Sequence, residues 1–148
     1  MTNATTDDLL KLENQLCFAL VTAARNVVSI YRPILEPLGL THPQYLVMLA
    51  LWERSPRSLT DLANDLALDP ATASPLVKRL EADGRVVRQR SGEDERRLDI
   101  ALTEDGRALR AQATHVPGKV MAAVQMNLEE IGALRDGISQ FVGRTTER

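Results

Sequence analysis

Between Ser58 and Leu102 the chain carries an order of caps, turns and short elements that few folds accept. Ser58-x-x-Asp61 is a helix-opening signature, and Leu59, Leu62, Ala63 and Leu66 fall on one face of the helix it opens. Ala67-Leu68 leaves room only for a tight turn before Asp69-Pro70, a cap residue followed by a first-position proline. The second helix runs to Ala82 and stops at Asp83-Gly84. Pro75 falls near its sixth position, where it removes a hydrogen bond and crowds residue 71, so both Pro70 and Ser74 stand as possible starts. Arg85–Arg90 and Leu98–Leu102 then read as two strands joined by the polar loop Ser91–Arg97. Helix, tight turn, helix and hairpin form the winged helix-turn-helix pattern, which sets a second helix in a DNA major groove. The expected class is mainly α with a small β-hairpin wing.

The flanks are helical. Leu9, Leu12, Leu16, Leu20, Ala23, Val27 and Ile30 recur at steps of three and four, with Thr6, Asp7 and Asp8 as cap and first-turn acids and Pro33 as the expected stop. Cys17, Val21, Ala24, Val28 and Tyr31 form a second stripe beside the first. Two such stripes exceed what a small domain covers on a terminal helix, so the excess reads as a partner surface. After a short segment broken at Pro37 and Gly39, Thr41-His42-Pro43-Gln44 reads as a capping box, and the apolar helix it opens, to about Arg54, as the central core helix. Thr103 caps a later helix that Pro117-Gly118 should kink or break. A last helix carries Leu128, Ile131, Leu134, Ile138 and Phe141, and the tail from Arg144 to Arg148 is expected to fray.

Composition narrows the function. With 148 residues the chain suggests a single unit over 1–148, and its net charge of −2 excludes a uniformly basic coat. The stretch from Lys78 to Arg97 departs from that balance, with seven cations against five acids. Phosphate contacts there would release counterions. Pro70, Ala71, Thr72 and Ser74 form the face that would approach base edges and thymine methyls. An arginine at the hairpin tip suits a narrow minor groove. Asp69, Pro70, Thr72, Ser74, Lys78, Arg79, Arg88, Arg90, Asp94, Arg96 and Arg97 make up the candidate set for double-stranded DNA, with Asp94 either orienting Arg96 or forming an ordinary surface ion pair. The competing reading is a charged hairpin on a protein-interaction module, which predicts no salt-dependent duplex binding. Five aromatics are too few for a single-strand stacking platform. One cysteine and two histidines support neither a disulfide framework nor a structural zinc, and no cofactor motif appears. No stretch has the length of a membrane span, and the expected compartment is the cytoplasm, with Cys17 a thiol.

Leu59-Thr60-Asp61-Leu62-Ala63, Val77-Lys78-Arg79-Leu80-Glu81, Asp94-Glu95-Arg96-Arg97 and Leu102-Thr103-Glu104-Asp105-Gly106 resemble MarR-family repressors over nearly the whole chain. The resemblance implies a homodimer on a pseudo-palindromic operator, with helices over 6–32 and 103–143 interleaved as the dimer interface, a winged helix-turn-helix region over 41–102, and Arg96 in the minor groove. Leu12-Glu13-Asn14-Gln15-Leu16-Cys17-Phe18, Tyr31-Arg32-Pro33 and Leu40-Thr41-His42-Pro43-Gln44-Tyr45 are similar to the organic hydroperoxide-sensing branch. That likeness implies a one-cysteine redox sensor built on Cys17, with Tyr31 and a second group, here His42 in place of tyrosine, bonding the sulfur. Cys17 and Tyr31 share a face of one helix but stand ~21 Å apart along its axis, so they cannot touch within one straight helix and could meet across an antiparallel two-fold pair. One alternative is a small aromatic or lipophilic ligand bound near Tyr31, His42, Tyr45 and Trp52 with Cys17 inert. Another is a thiol-dependent peroxide enzyme, disfavoured because Cys17 reads as mid-helix, far from a helix N-terminus.

Overall fold

The computed structural model describes residues 5–146. Thr6–Leu9 (α1) opens with a reciprocal capping box between Thr5 and Asp8. A 3₁₀ turn over Leu12–Asn14 follows, and a second helix begins afresh at Leu16, so the long first helix of the sequence reading is divided. Gln15 marks the break: its backbone is extended, and its side-chain amide donates to the carbonyls of Leu9 and Lys11. Leu16–Leu35 (α2) also passes through Pro33 instead of stopping there. A proline at that position orphans one carbonyl, and burial of Leu35, Leu38 and Leu40 carries the chain through another turn into the 3₁₀ helix Glu36–Leu38. Gly39 then reverses the chain with φ of +69°, a left-handed conformation that favours glycine.

His42–Glu53 (α3) starts as its sequence indicates, with Thr41 and Gln44 bonding each other's backbone N–H at 3.4 and 3.0 Å. Tyr45, Val47, Met48, Ala50 and Leu51 are buried, so α3 is the core helix on which the other elements pack. Leu59–Asp65 (α4) and Pro70–Ala82 (α5) form the helix-turn-helix, with Ala67 left-handed in the turn. The open question about Pro75 resolves in favour of Pro70: the helix contains Pro75. Ala73, Val77 and Leu80 anchor it in the core while the lost bond falls on the exposed side. Asp69 occupies the N-cap position, yet its side chain makes no capping hydrogen bond.

The wing consists of Val86–Arg90 (β2) and Leu98–Leu102 (β3), paired antiparallel from Val86 opposite Leu102 to Arg90 opposite Leu98. A third strand, Arg57–Ser58 (β1), joins the other edge of β3 and was hidden from the sequence by its two-residue length. Ser58 serves twice, pairing in the sheet and capping α4 through its hydroxyl. Beyond the wing, Glu104–Ala113 (α6) is capped by Thr103, and the expected interruption before Pro117 separates it from Val116–Val124 (α7). Leu128–Thr146 (α8) has no buried residue, and Arg144, Thr145 and Thr146 are helical where fraying was expected; residues 147–148 lie outside the described residues. Among the described residues no helix is long and apolar enough to cross a membrane.

Candidate functional site

Two groups of candidate residues end up on different parts of the molecule. The first lies on α5 and the wing. Pro70, Ala71 and Thr72 are exposed at the start of α5, whereas Ser74 turns half inward. Pro75, not among the candidates, is exposed on this helix; counting residues from Pro70 would have found it. Lys78 and Arg79 continue the exposed side, with Arg79 3.5 Å from Asp83.

The wing arginines divide by their partners. Arg97 is committed within the hairpin: it pairs with Asp99 at 3.1 Å and donates to the Ser91 hydroxyl at 3.2 Å. Arg88 is half-buried, and its Nε sits 3.6 Å from Glu81, an ion-pair distance too long for a hydrogen bond. Arg90 donates to the Glu95 carbonyl at 2.8 Å. Among the described residues Lys78, Arg90 and Arg96 form no ion pair, which leaves their charge for an outside anion. Asp94 forms no ion pair with Arg96. Its carboxylate accepts from the backbone N–H of Arg96 at 2.9 Å, so it acts on the loop backbone that carries that arginine. Short polar side chains bond nearby backbone in this way, and only the loop's folded path reveals it.

The second group lies along α2 and the start of α3. Tyr31 packs against His42 with ring centroids 4.8 Å apart and against Tyr45 at 5.8 Å. Loss of water around the rings pushes both tyrosine pKa values above the ordinary phenol range, while the same loss holds the His42 imidazole below its ordinary value. The phenols therefore keep their protons and His42 is neutral at pH 7. Cys17 is exposed and is not brought to this cluster: it is the second residue of α2, and Tyr31 stands near the other end of the same helix. The sequence reading placed Cys17 mid-helix, and the break at Gln15 corrects it. The sulfur belongs to the first turn of a 20-residue helix, where negative charge is favoured.

Trp52 does not join the Tyr31 cluster. Its Nε1 donates to the Gly106 carbonyl at 2.8 Å. Tyr45 and Trp52 line a groove between α3 and α6 of about 360 Å³, whereas His42 lines a separate cleft of about 850 Å³ beside Arg32, Glu36, Arg79 and Asp83. The four residues named for a bound ligand thus do not share one cavity. Among the described residues no group of His, Cys, Asp and Glu is placed to hold a metal.

A helix-turn-helix whose second helix is exposed, followed by a hairpin with unpaired cations at its tip, is the build of a winged-helix transcriptional regulator. Residues 29–112 match the family described as transcriptional regulator SarA/Rot. The organic hydroperoxide resistance transcriptional regulator of Bacillus subtilis (strain 168) is 40% identical over 88% of this chain and 89% of its own length. Reduced AbfR bound to DNA, a protein of Staphylococcus epidermidis, superposes with a TM-score of 0.75 at 31% identity, covering 97% of this chain and 100% of that one. AbfR has also been solved overoxidised on DNA. A MarR-family transcriptional regulator from Rhodococcus sp. RHA1 matches with a TM-score of 0.77 at 26% identity over 89% of this chain and 95% of that one. The chain belongs to the MarR family of winged-helix transcriptional regulators, with the SarA/Rot type as its matching description. It is a regulator and not an enzyme.

Proposed function

We propose that two copies of this chain bind double-stranded DNA as a homodimer and leave it when Cys17 is oxidised by an organic hydroperoxide. The observation that carries this reading is the placement of Cys17 in the exposed first turn of α2, with Tyr31 and His42 paired near the other end of the same helix. In an antiparallel two-fold pairing of α2, Cys17 of one copy comes opposite Tyr31 and His42 of the partner subunit. A protonated phenol and a neutral imidazole each offer one hydrogen, so both can bond a thiolate. The likeness to the Bacillus hydroperoxide regulator and to reduced AbfR on DNA supports both halves of the reading.

The chemistry is a two-electron oxidation of sulfur. The Cys17 thiolate attacks the terminal oxygen of the hydroperoxide and the O–O bond breaks. The alkoxide leaves and takes a proton to become the alcohol, and the sulfur is left as sulfenic acid. A small thiol can then condense with it, forming a mixed disulfide and releasing water. Because overoxidised AbfR is found on DNA, we assign release here to the bulkier mixed disulfide, which pushes the packed helices apart. Binding of a fragment upstream of the protein's own gene should be lost on adding cumene hydroperoxide with free cysteine, and retained by Cys17→Ser under the same treatment. Release that persists in Cys17→Ser contradicts the thiol mechanism and favours a bound effector.

A further inference from the structure

A charged joint lies beneath the wing, away from both candidate groups. Arg57 is the first residue of β1 and is only 3% exposed. Its Nε donates to Asp61 Oδ2 at 2.7 Å, one Nη to Asp65 Oδ2 at 2.5 Å, and the other Nη to the Ala50 carbonyl at 3.3 Å. Arg54 adds a bond to the same Asp61 oxygen at 2.8 Å. Asp61 and Asp65 are four residues apart and share one face of α4. Ala50 belongs to α3, and the Arg57 backbone pairs with Ile100 of β3. A single residue therefore ties the first helix of the helix-turn-helix to the core helix through its side chain and to the sheet that bears the wing through its backbone.

An arginine buried this deeply is expensive to remove from water, and pairing offsets that cost only when geometry is good. A methionine would fill similar space without charge, and the two carboxylates, with side chains 41% and 57% exposed, would be hydrated in its place. The ion pair is thus poorly suited to be the source of stability. What the planar fork supplies is direction, since its donors satisfy two carboxylates and a carbonyl in one orientation only. Reading helix α5 packs on α4, and Arg96 rides the hairpin that hangs on β3. The angle between α4 and β1 consequently sets the spacing between α5 and Arg96.

We propose that Arg57 is a positioning residue for DNA reading, holding the reading helix and the wing tip at the separation that one half-site requires. The proposal rests on the DNA-binding role given above. Its test is a double-mutant cycle of Arg57→Met and Arg96→Ala, read by fluorescence anisotropy on the fragment upstream of the protein's own gene, with urea unfolding of every variant. Distant, unlinked positions give multiplying losses, and linked ones do not. The expected result is that Arg57→Met keeps an unfolding midpoint near that of the wild type and loses about tenfold in affinity. The double variant should bind about as well as the weaker single one, because a displaced wing has already lost its Arg96 contact. Arg57→Lys, which keeps the charge and not the fork, should not restore binding. Should Arg57→Met fail to fold, Asp65→Ala, which removes one acceptor of the fork at an exposed position, takes its place in the same cycle with the same expectation. Losses that multiply, or wild-type affinity in Arg57→Met, overturn the proposal alone. Absence of duplex binding by the wild type overturns the DNA-binding role and the proposal with it.

Discussion

Gly106 joins the wing to the helices behind it. A Cβ added there would overlap the Arg85 carbonyl oxygen, which already accepts from the Thr103 N–H, while the Gly106 carbonyl accepts from Trp52. Gly106→Ala should cost about 1–3 kcal/mol as an overpacked contact against backbone that cannot swing aside, read as a lower urea midpoint. An unchanged midpoint would mean that the turn before β2 yields freely. His42 gives a prediction in pH. Its imidazole titrates below the ordinary value near 6.5 because burial disfavours the cation, so the unfolded chain takes the proton first as pH falls. The stability held by neutral His42 is therefore complete above about pH 6.5 and is lost as pH drops towards the folded value. His42→Gln should flatten the decline in unfolding midpoint between about pH 7 and 5 relative to the wild type, and parallel declines would contradict the half-buried neutral imidazole. The Thr41–Gln44 box was legible in sequence because capping is decided within four residues. The role of Asp94 was not, because its acceptor geometry depends on the loop's path.

Among the elements, α5 and the wing divide the cations into those held inside and those left outward. Lys78 is exposed and outside any ion pair among the described residues, so Lys78→Ala should reduce the slope of log affinity against log salt by about one. Arg97 is occupied by Asp99 and Ser91, and Arg97→Ala should change that slope less while loosening the hairpin. Equal changes in slope for the two variants would contradict the division. The helix-turn-helix and the hairpin were readable because caps, the Ala67-Leu68 turn and alternation in β3 all agreed. Three features were not. Pro33 looks like a stop and Pro75 leaves the start of its helix open, yet buried leucines and Val77 hold the helices together across them. The break at Gln15 lies inside an unbroken run of leucines, where spacing alone continues the helix. Strand β1 is too short to alternate and exists only because β3 has a free edge.

For the molecule as a whole, the apolar surface left uncovered by one chain is the decisive feature. Phe18, Val21, Val27 and Val28 on α2 and Leu134, Ile138, Phe141 and Val142 on α8 remain exposed, on helices that flank the reading head in sequence. A stripe on each of two terminal helices fits burial against a second copy. The proposed sensor was only partly legible for the same reason: Cys17, Tyr31 and His42 can be named from one sequence, but one chain does not bring Cys17 to the other two. A dimer of this kind presents two reading helices that must match successive turns of a duplex. Hydroxyl-radical footprinting of the fragment upstream of the protein's own gene, with the chain-to-fragment ratio measured at saturation, tests this most directly. The account predicts two protected patches one helical turn apart, about 34 Å, and two chains per fragment. A single patch covered by one chain would contradict it.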